Sequence, residues 1–469
     1  MKSILLLALS LCCYFTLGAQ TIYYVKSGGS GAITGASWAD AMDNVQNAID
    51  KANIGDQVWV AQGKFYGNAS SKFGIILKSG VALYGGFAGT ESALKDRVPG
   101  HISQLLGDAV SGNNHNAAVS ASDITLATVL DGFTIAPSQS PGPQCRGMYL
   151  SNVSTELKIS HCIIDGNTTS TIYGNGYGTG IYMENNSLPI ITNCTISNNK
   201  TTDYGGGVYV LNSSPVFINC KFINNQSNST GGGAFNSGSS SIYSHCIFSG
   251  NISKGQSSSR GGALSFSGGG NSKINNCLIT NNTANYGGAA ISCFDAGLSV
   301  LNCTITGNPA VNQTGGAAIL YSETGTNTLT IANSIIWNNV STHAASDYLE
   351  IVGQNGSADP ILGNNLIKYG QYGSMGDDPQ FVDADNGNFQ LLAASPAIDA
   401  GDNSAAGFVA SDTDLIDHHR VINNVVDLGA YEALTDKIIN NGESSFKGFS
   451  GTLDITGNPY ENDLENTYK

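Results

Sequence analysis

Short stretches in which apolar and polar residues alternate recur along the chain, mainly between residues 120 and 370. The clearest phrase is Asn or His, then Cys, then a residue pair ending in Ile or Phe. Its cysteines are Cys162, Cys194, Cys220, Cys246, Cys277 and Cys303. Phe133 and Ser334 hold the same position in similar stretches before and after, and successive positions lie 26 to 32 residues apart.

A second phrase, two or three glycines followed by small or apolar residues, lies between the first ones. It occurs at Gly205–Tyr209, Gly231–Phe235, Gly261–Leu264, Gly287–Ile291 and Gly315–Ile319. Two such strands cannot bury their apolar faces alone, but strands of successive coils can pair about 4.8 Å apart. The pattern therefore predicts an all-β fold, a right-handed parallel β-helix (solenoid) over residues 119–370. The leucine frame of a leucine-rich repeat, which has a similar period, is missing.

Residues that recur at one position of every coil are expected to hold the solenoid together. Asn recurs five residues after the Cys position, at Asn167, Asn199, Asn225, Asn251, Asn282, Asn308 and Asn339. Asn tolerates the left-handed conformation and can bond to its stacked neighbours, so we expect a structural ladder. Stacked cysteines point the same way, which is a poor geometry for disulfides, so we expect free buried thiols. The even number of cysteines in an exported chain suggests bridges as the alternative.

An open β-helix must cover the sheet edges at its ends. Residues 20–118 are expected to hold the N-terminal cap and the first coils. Apolar residues at helical spacing from Trp38 to Ala52, after a possible capping box at Ser37, predict a capping helix. Strands at Val58–Ala61 and Val81–Phe87 would begin the stack, and residues 88–118 are expected to form loops. After Trp337 the repeats become irregular, which predicts a small C-terminal module over residues 371–433 and a polar tail over 434–469.

Composition and charge limit the location and the partners. An apolar run from Ile4 to Leu17 follows Lys2 and precedes Gly18-Ala19, so residues 1–19 are expected to be a signal peptide. No later segment has the roughly 20 apolar residues of a membrane-spanning helix. The net charge of −15 argues against nucleic acid as a partner and equally against polyanionic glycans, unless bound cations intervene. We therefore expect a secreted or cell-surface protein, a monomer, without a membrane span in the mature chain.

The C-terminal segment resembles a known module. Asp378–Val382, Ser395–Gly401 and Asp427–Glu432 are similar to the choice-of-anchor Q domain of bacterial β-helix surface proteins. The stretch from Tyr23 to Phe87 also resembles these proteins, whose solenoids are similar to pectate lyases. Phe222–Asn225 and Phe248–Asn251, with the Gly-Gly-Ala phrases, resemble the repeats of polymorphic outer-membrane proteins. The resemblance implies a surface β-helix protein, and many similar folds act on polysaccharides.

Asp295 and Glu323 are the best candidates for catalysis or metal binding. Each lies seven residues after the second glycine of its coil, Gly288 or Gly316. Equal offsets could stack the two carboxylates on adjacent coils, where they would share a proton or bind Ca²⁺. The alternative is that both lie on exposed loops. Arg260, Lys254 and Lys273 are the nearby cations, and no motif places any of them as a base.

Two further polar groups invite both a metal-site and a structural interpretation. Asp383, Asp385 and Asn388 surround Gly387, but the spacing differs from an EF-hand and a polar turn explains them. A second group could bind metal but lies in the polar stretch of the anchor-like module. It contains Asp412, Asp414, Asp417, His418 and His419.

Two functions follow from these observations. The first is non-catalytic adhesion or contact with polysaccharide or host-surface glycans, because the regular residues are structural and few polar groups converge. Exposed aromatics such as Tyr204, Tyr209 and Tyr286 could stack on sugars, although Tyr209 is better placed in the core or on the face of a strand. The alternative is a polysaccharide lyase or related enzyme acting on acidic glycans, which needs a base and a cation beside a uronate.

Overall fold

The computed structural model describes residues 20–29, 34–67, 73–107, 117–137, 145–169, 176–255, 259–311, 318–322, 327–340, 349–405, 407, 409 and 412–434. They form a parallel β-helix with four sheets, named A to D here. Each regular coil runs from sheet C through A and B to the short sheet D. The prediction of a right-handed parallel β-helix is confirmed. The predicted signal peptide, residues 1–19, and the part of the predicted polar tail beyond residue 434 lie outside the described residues.

The strands of each sheet, in chain order, are as follows. Sheet A contains Ile22–Val25, Gln57–Ala61, Ala82–Phe87, Thr128–Asp131, Leu157–Ser160, Ile190–Thr192, Val216–Ile218, Ile242–Ser244, Asn271–Asn275, Gly297–Leu301, Leu329–Ala332 and Ile361–Leu362. Sheet B contains Gly63–Tyr66, Ser103–Gly107, Phe133–Pro137, Ile163–Asp165, Thr195–Ser197, Lys221–Ile223, Ile247–Ser249, Leu278–Thr280, Thr304–Thr306, Ser334–Trp337 and Asn365–Ile367. Sheet C contains Phe73–Ile76, Ala117–Ser122, Arg146–Ser151, Ile181–Glu184, Val208–Leu211, Ala234–Ser237, Leu264–Ser267, Ile291–Phe294, Ile319–Ser322 and Ile351–Gly353. Sheet D contains Thr168–Thr169, Lys200–Thr201, Gln226–Ser227, Ile252–Ser253 and Thr283–Ala284.

The core is one continuous column inside the coils. Alternate strand residues point inward, so each coil adds an apolar layer, for example Val210, Phe217 and Phe222. The six cysteines of the recurring phrase are buried in this column as free thiols. Burial raises the pKa of Cys194, Cys246 and Cys303, which keeps these thiols protonated.

The asparagine ladder forms where sheet B turns toward sheet D. The side-chain amide of each Asn donates to Oδ1 of the next Asn at 2.7 to 3.0 Å from Asn167 to Asn339. The same Oδ1 atoms accept the backbone N–H of the preceding coil, for example Asn225 N to Asn251 Oδ1 at 3.0 Å. Each buried amide is thus bonded within the stack, which makes the ladder a structural feature.

A second corner ladder lies between sheets A and B, one residue before each column cysteine. Its members share a left-handed conformation with φ between 49° and 54°. They are His161, Asn193, Asn219, His245, Asn276, Asn302 and Asn333. This repeated corner sets the turn from sheet A into sheet B, because Asn is among the few residues that adopt this conformation at low cost.

The N-terminal cap differs in detail from its prediction. The α-helix α1 covers only Val45–Lys51, with Asn44 as its N-cap, and Ser37 caps a separate 3₁₀ turn at Trp38–Asp40. Met42 separates the two because its backbone pairs with Tyr24 and Lys26 beside the first strand of sheet A. The expected loop at 88–118 was also wrong in part. It contains the sheet B strand Ser103–Gly107 and the start of the sheet C strand Ala117–Ser122.

The C-terminal module packs on the outer face of sheet B in the last coils. It contains an antiparallel pair, Phe381–Asp383 and Asn388–Leu391, and 3₁₀ turns at Lys368–Gly373 and Ala384–Asn386. Phe389 and Tyr431 pack near Leu278, and Leu428 packs near Ile335. Outside the module, in the N-terminal part of the chain, a further 3₁₀ turn lies at Leu94–Asp96. Among the described residues, none of the helices has the length and apolar character needed to cross a bilayer.

Candidate functional site

An aromatic ladder runs along the outer face of sheet C. Inward residues alternate with Tyr149, Tyr182, Tyr209 and Phe235, which are paired in register on four successive strands. Their ring centroids are 5.8, 5.4 and 5.3 Å apart, and the three tyrosine rings are parallel within 3°. Because the rings stack on one another, their faces are covered, and only the half-buried rings of Tyr149 and Tyr182 present an edge to solvent.

Two more tyrosines widen this ladder on the side where the chain enters sheet C. The Tyr177 ring stacks on the Tyr209 ring at 4.9 Å, and the Tyr204 ring tilts against Phe235 at 4.9 Å. Tyr177 and Tyr204 are half-buried, whereas Tyr209 and Phe235 below them are 7% and 9% exposed. The expectation that Tyr209 is exposed is therefore wrong, because Tyr209 is buried in its sheet C strand beneath Tyr177, whereas Tyr204 is half-buried.

Charged side chains border the N-terminal end of the ladder. The Arg146 guanidinium lies 5.0 Å from the Tyr182 ring centroid, and its Nε donates to the Tyr177 carbonyl at 2.9 Å. Glu184 accepts the hydroxyls of Tyr149 at 2.5 Å and Tyr182 at 3.0 Å. Burial and the neighbouring Glu184 carboxylate raise the pKa of both phenols, so both stay protonated at neutral pH. We call the eight residues Arg146, Tyr149, Tyr177, Tyr182, Glu184, Tyr204, Tyr209 and Phe235 the ladder face.

The ladder ends after Phe235, where Ser265 and Ser292 take its position. The Arg260 guanidinium lies 4.6 Å from the Tyr286 ring centroid and 4.4 Å from the ring centroid of Phe294, on the same strand as Ser292. Tyr286, a predicted sugar contact, thus packs against a cation. No sequence motif indicates that Arg146 or Glu184 belongs to a binding surface. The second Gly phrase indicates only the register of the sheet C strands.

The candidate pair Asp295 and Glu323 is only partly described. Asp295 follows the last residue of its sheet C strand, is exposed, and has φ of 53°. Its backbone N–H donates to the Ser322 carbonyl at 2.9 Å, so Asp295 lies in the turn that leaves sheet C. Glu323 lies outside the described residues, and the stacking of the two carboxylates stays a prediction.

The three cations near this pair in sequence lie apart in the fold. Arg260 flanks sheet C, Lys273 points outward from sheet A, and Lys254 follows a sheet D strand. They do not form one basic cluster beside Asp295.

The two other polar groups hold turns of the C-terminal module. Asp383 accepts the backbone N–H of Asn386 at 3.3 Å and its side-chain amide at 2.8 Å, in a polar turn. Asp414 is buried and accepts backbone N–H groups of Ile416, His418 and Glu432 at 2.8 to 2.9 Å. Within the described part of the chain, no group of three or more His, Cys, Asp or Glu side chains could hold a metal ion.

Buried charges surround Asp414. The Arg420 guanidinium lies 3.6 Å from the Glu432 carboxylate and donates to the Asp427 carbonyl at 3.0 Å. Burial raises the pKa of Glu432 to about 8 and that of Asp427 to about 6. These contacts give Asp414, Arg420, Asp427 and Glu432 a structural role in the module.

Comparisons with known proteins agree with this architecture. A family model described as right handed beta helix region matches residues 144–255 and 179–367. The crystal structure of pectate lyase Pel9A is 13% identical, with coverage of 89% of this chain and 97% of that one and a TM-score of 0.52. The structure of XylC in complex with xylose is 12% identical, covers 89% and 99%, and has a TM-score of 0.38.

A tailspike protein of bacteriophage CBA120 is 13% identical over 69% of this chain and 44% of that one, with a TM-score of 0.31. The search of curated proteins gave no match. The family match and the pectate lyase likeness, together with the four-sheet solenoid, identify the chain as a right-handed parallel β-helix protein with a pectate-lyase-like fold.

Proposed function

We propose that this protein is a secreted or cell-surface β-helix that binds polysaccharide along the ladder face, for adhesion or glycan contact and without cleaving it. The observation that carries the proposal is the unbroken aromatic ladder from Tyr149 to Phe235, bordered by Arg146 and Glu184. Such a surface combines apolar ring edges with fixed hydrogen-bonding groups, as a sugar chain requires.

The direction of the ladder suits a long repeating ligand. Equivalent side chains recur once per coil, about 4.8 Å apart along the solenoid axis. An extended glycan lying along this axis would meet similar contacts at each coil. Stacking holds the rings in place before binding, so little side-chain freedom is lost on association.

The state of the polar groups favours contact over proton transfer. Both phenols that donate to Glu184 have raised pKa values, so neither is a base at neutral pH. The Glu184 carboxylate accepts from both of them, and Arg146 is held by Tyr177 and Tyr182. These groups are arranged to recognise hydroxyl groups of a sugar.

Affinity electrophoresis of residues 20–469 in gels containing neutral or acidic polysaccharides tests the proposal. We expect retardation by at least one polysaccharide, and about tenfold weaker binding for Tyr182→Leu, Glu184→Gln and Arg146→Gln. Tyr66→Leu is the matched control, because Tyr66 is 42% exposed on sheet B, away from the ladder face. Thermal unfolding of each variant establishes that it is folded.

Two outcomes would overturn this proposal. Binding that is unaffected by the three variants, or no binding to any polysaccharide, would remove the ladder face as the site. Ultraviolet-absorbing unsaturated products from uronate glycans with Ca²⁺, lost in Asp295→Ala or Glu323→Ala, would establish the lyase alternative instead.

A further inference from the structure

A small set of hydrogen bonds joins the C-terminal module to the outer side of the solenoid. Asn333 Oδ1 accepts the Asp402 N–H at 2.8 Å, and the Asn333 carbonyl accepts the Gly429 N–H at 2.8 Å. The Ala430 N–H donates to Thr304 Oγ1 at 2.9 Å. These bonds connect the module to sheet B and its corner, so they all break if the module leaves this face.

The contact buries polar atoms that are unpaired among the described residues. His245 and Asn333 of the second corner ladder bond to the module, and Asn276 and Asn302 lie between them. Asn276 and Asn302 are 0% and 1% exposed, whereas Asn219, one coil before His245, is exposed. Within the described part of the chain, their Oδ1 atoms have no hydrogen-bond partner. Because unpaired buried atoms cost free energy, the module is held less firmly than by a fully bonded interface.

On the module side of this contact, a guanidinium is buried among carboxylates. Arg420 is fully buried, and its Nη1 lies 3.6 Å from the Glu432 carboxylate. The carboxylates of Asp414 and Asp427 also act on its charge. Arg420 Nε and Nη1 have no hydrogen-bond partner in the described ranges. Cys303 of the core column influences the same guanidinium, which places the cluster beside the solenoid.

The carboxylates of this cluster hold the segment that makes the docking bonds. Both carboxylate oxygens of Glu432 accept the Asp427 N–H at 3.2 Å. The Asp427 carboxylate in turn accepts two backbone N–H groups at 2.7 Å. Gly429 and Ala430, which bond to the solenoid, lie between Asp427 and Glu432 in the chain. A change in the charge of either carboxylate therefore acts directly on the docked segment.

The cluster has more carboxylates than its one guanidinium can neutralise. Burial raises the pKa of Glu432 to about 8 and that of Asp427 to about 6, and the charge of Arg420 offsets only part of this effect. As pH rises, Asp427 and then Glu432 become charged beside Asp414. The other titratable groups that face or border the cluster are His418, Tyr431 and Asp399 of the module and Cys303 and His245 of the solenoid.

We propose that the C-terminal module is a latch that leaves the outer face of sheet B when the carboxylates around Arg420 become charged. The docked state binds the Glu432 proton more tightly than a released segment, in which a Glu has a pKa of 4.5. Docking is therefore strongest below pH 4.5 and weakens as pH rises to about 8. Release uncovers the outward side chains of Leu278, Thr304 and Ile335 on sheet B. The latch is independent of the ladder face, which lies on sheet C.

Hydrogen exchange of residues 20–469 at pH 6 and pH 9, measured by mass spectrometry, tests this proposal. The rates are corrected for the intrinsic exchange rate at each pH. We expect the protection of peptides spanning residues 426–433 to fall by about tenfold or more at pH 9. Peptides spanning residues 190–223, whose strands lie in the solenoid away from the module, are expected to keep their protection.

Glu432→Gln is the deciding variant, because it keeps the shape of the side chain and cannot become charged. At pH 9 it is expected to be better protected over residues 426–433 than the wild type, a gain that lost packing alone would not produce. Glu350→Gln is the matched control, because Glu350 is also a buried carboxylate with a raised pKa and lies outside the cluster. It should leave the fall over residues 426–433 unchanged.

Three outcomes would overturn the latch. The first is equal protection of residues 426–433 at both pH values in the wild type, a comparison that needs no variant to fold. The second is the same fall in Glu432→Gln as in the wild type, or its removal by Glu350→Gln, which would assign the pH response to another group. The third is an equal loss of protection over residues 190–223, which would mean that the whole chain opens and not the module alone.

Discussion

The carboxylate of Glu350 accepts two hydrogen bonds from Asn339, one from the backbone N–H at 3.2 Å and one from the side-chain amide at 2.9 Å. In the preceding coil, Asn308 makes the same two bonds to Oδ1 of Asn339, at 3.0 and 2.7 Å. Glu350 thus takes the place of the next asparagine and ends the ladder with an ionisable group. Burial raises the pKa of Glu350 to about 7.

Glu350→Gln is expected to remove a pH dependence of stability. The folded protein binds this proton more tightly than the unfolded chain, where a Glu has a pKa of 4.5, so the free energy of unfolding falls as pH rises from 4.5 to about 7. The fall amounts to roughly 3 kcal/mol for a shift of this size. Urea unfolding at pH 4.5 and pH 8 should show a smaller difference for the variant. Glu156→Gln, at an exposed position, is the control, and the same pH dependence in both variants would contradict the role of Glu350.

Asn251→Ala is expected to destabilise the solenoid strongly. The Asn251 amide donates to the Phe222 carbonyl at 2.7 Å and to Asn282 at 2.8 Å, and its Oδ1 accepts two bonds from Asn225. The change leaves buried groups without partners and opens a cavity, so we expect a loss of about 3 kcal/mol or more in the free energy of unfolding. Asn224→Ala, an exposed neighbour with φ of 55°, should cost only about 1 kcal/mol. Equal losses in urea unfolding would mean that the ladder bonds add little.

The repeat could be predicted from the sequence because each recurring residue has the same structural role in every coil. The Cys and Asn positions are inward or corner positions whose environment recurs from coil to coil, so the same residue type recurs. The second corner ladder carried a similar signal, Asn or His before each Cys, although its left-handed backbone was not foreseen. The strand at Ser103–Gly107 was missed because it lies in an early coil that lacks the phrase.

The candidate surfaces could not be predicted in the same way. The ladder face joins Arg146 to Tyr177, residues separated by an interval that differs from the common period of 26 residues. The register of coils with different loop lengths decides which outward side chains meet. The equal offsets of Asp295 and Glu323 predict a pair, and this stays a prediction because only Asp295, in an exposed turn just beyond its strand, lies among the described residues.

Asp131→Asn is expected to lower stability at neutral pH and to have little effect in acid. Asp131 accepts from His161 Nδ1 at 2.7 Å and pairs with Arg97 at 2.5 Å. Burial alone would raise the pKa of Asp131, but the hydrogen bond from His161 and the charge of Arg97 outweigh it and lower the pKa. The stabilisation is therefore present above pH 3.8, the ordinary value, and is lost as pH falls through the lowered pKa.

Urea unfolding at pH 7 should show a loss of about 2 kcal/mol for Asp131→Asn, shrinking at the lowest pH at which the chain stays folded. Asp123→Asn serves as the control, because Asp123 is exposed and lies in a turn. A loss that stays constant with pH would show that shape, and not charge, makes Asp131 important.

The eight described cysteines are expected to be unreactive in the folded protein and all reactive after unfolding without reductant. They are buried as free thiols, and successive members of the column bond to one another, as Cys246 N–H does to Cys277 Sγ at 3.3 Å. Burial raises the pKa of Cys145 to about 12, so access and thiolate formation are both limited in the native state. Titration with a thiol reagent should give close to eight groups per mature chain in denaturant and none before it. Protection of the column cysteines in denaturant would mean that they are bridged, in conflict with the parallel stacking that points their side chains the same way.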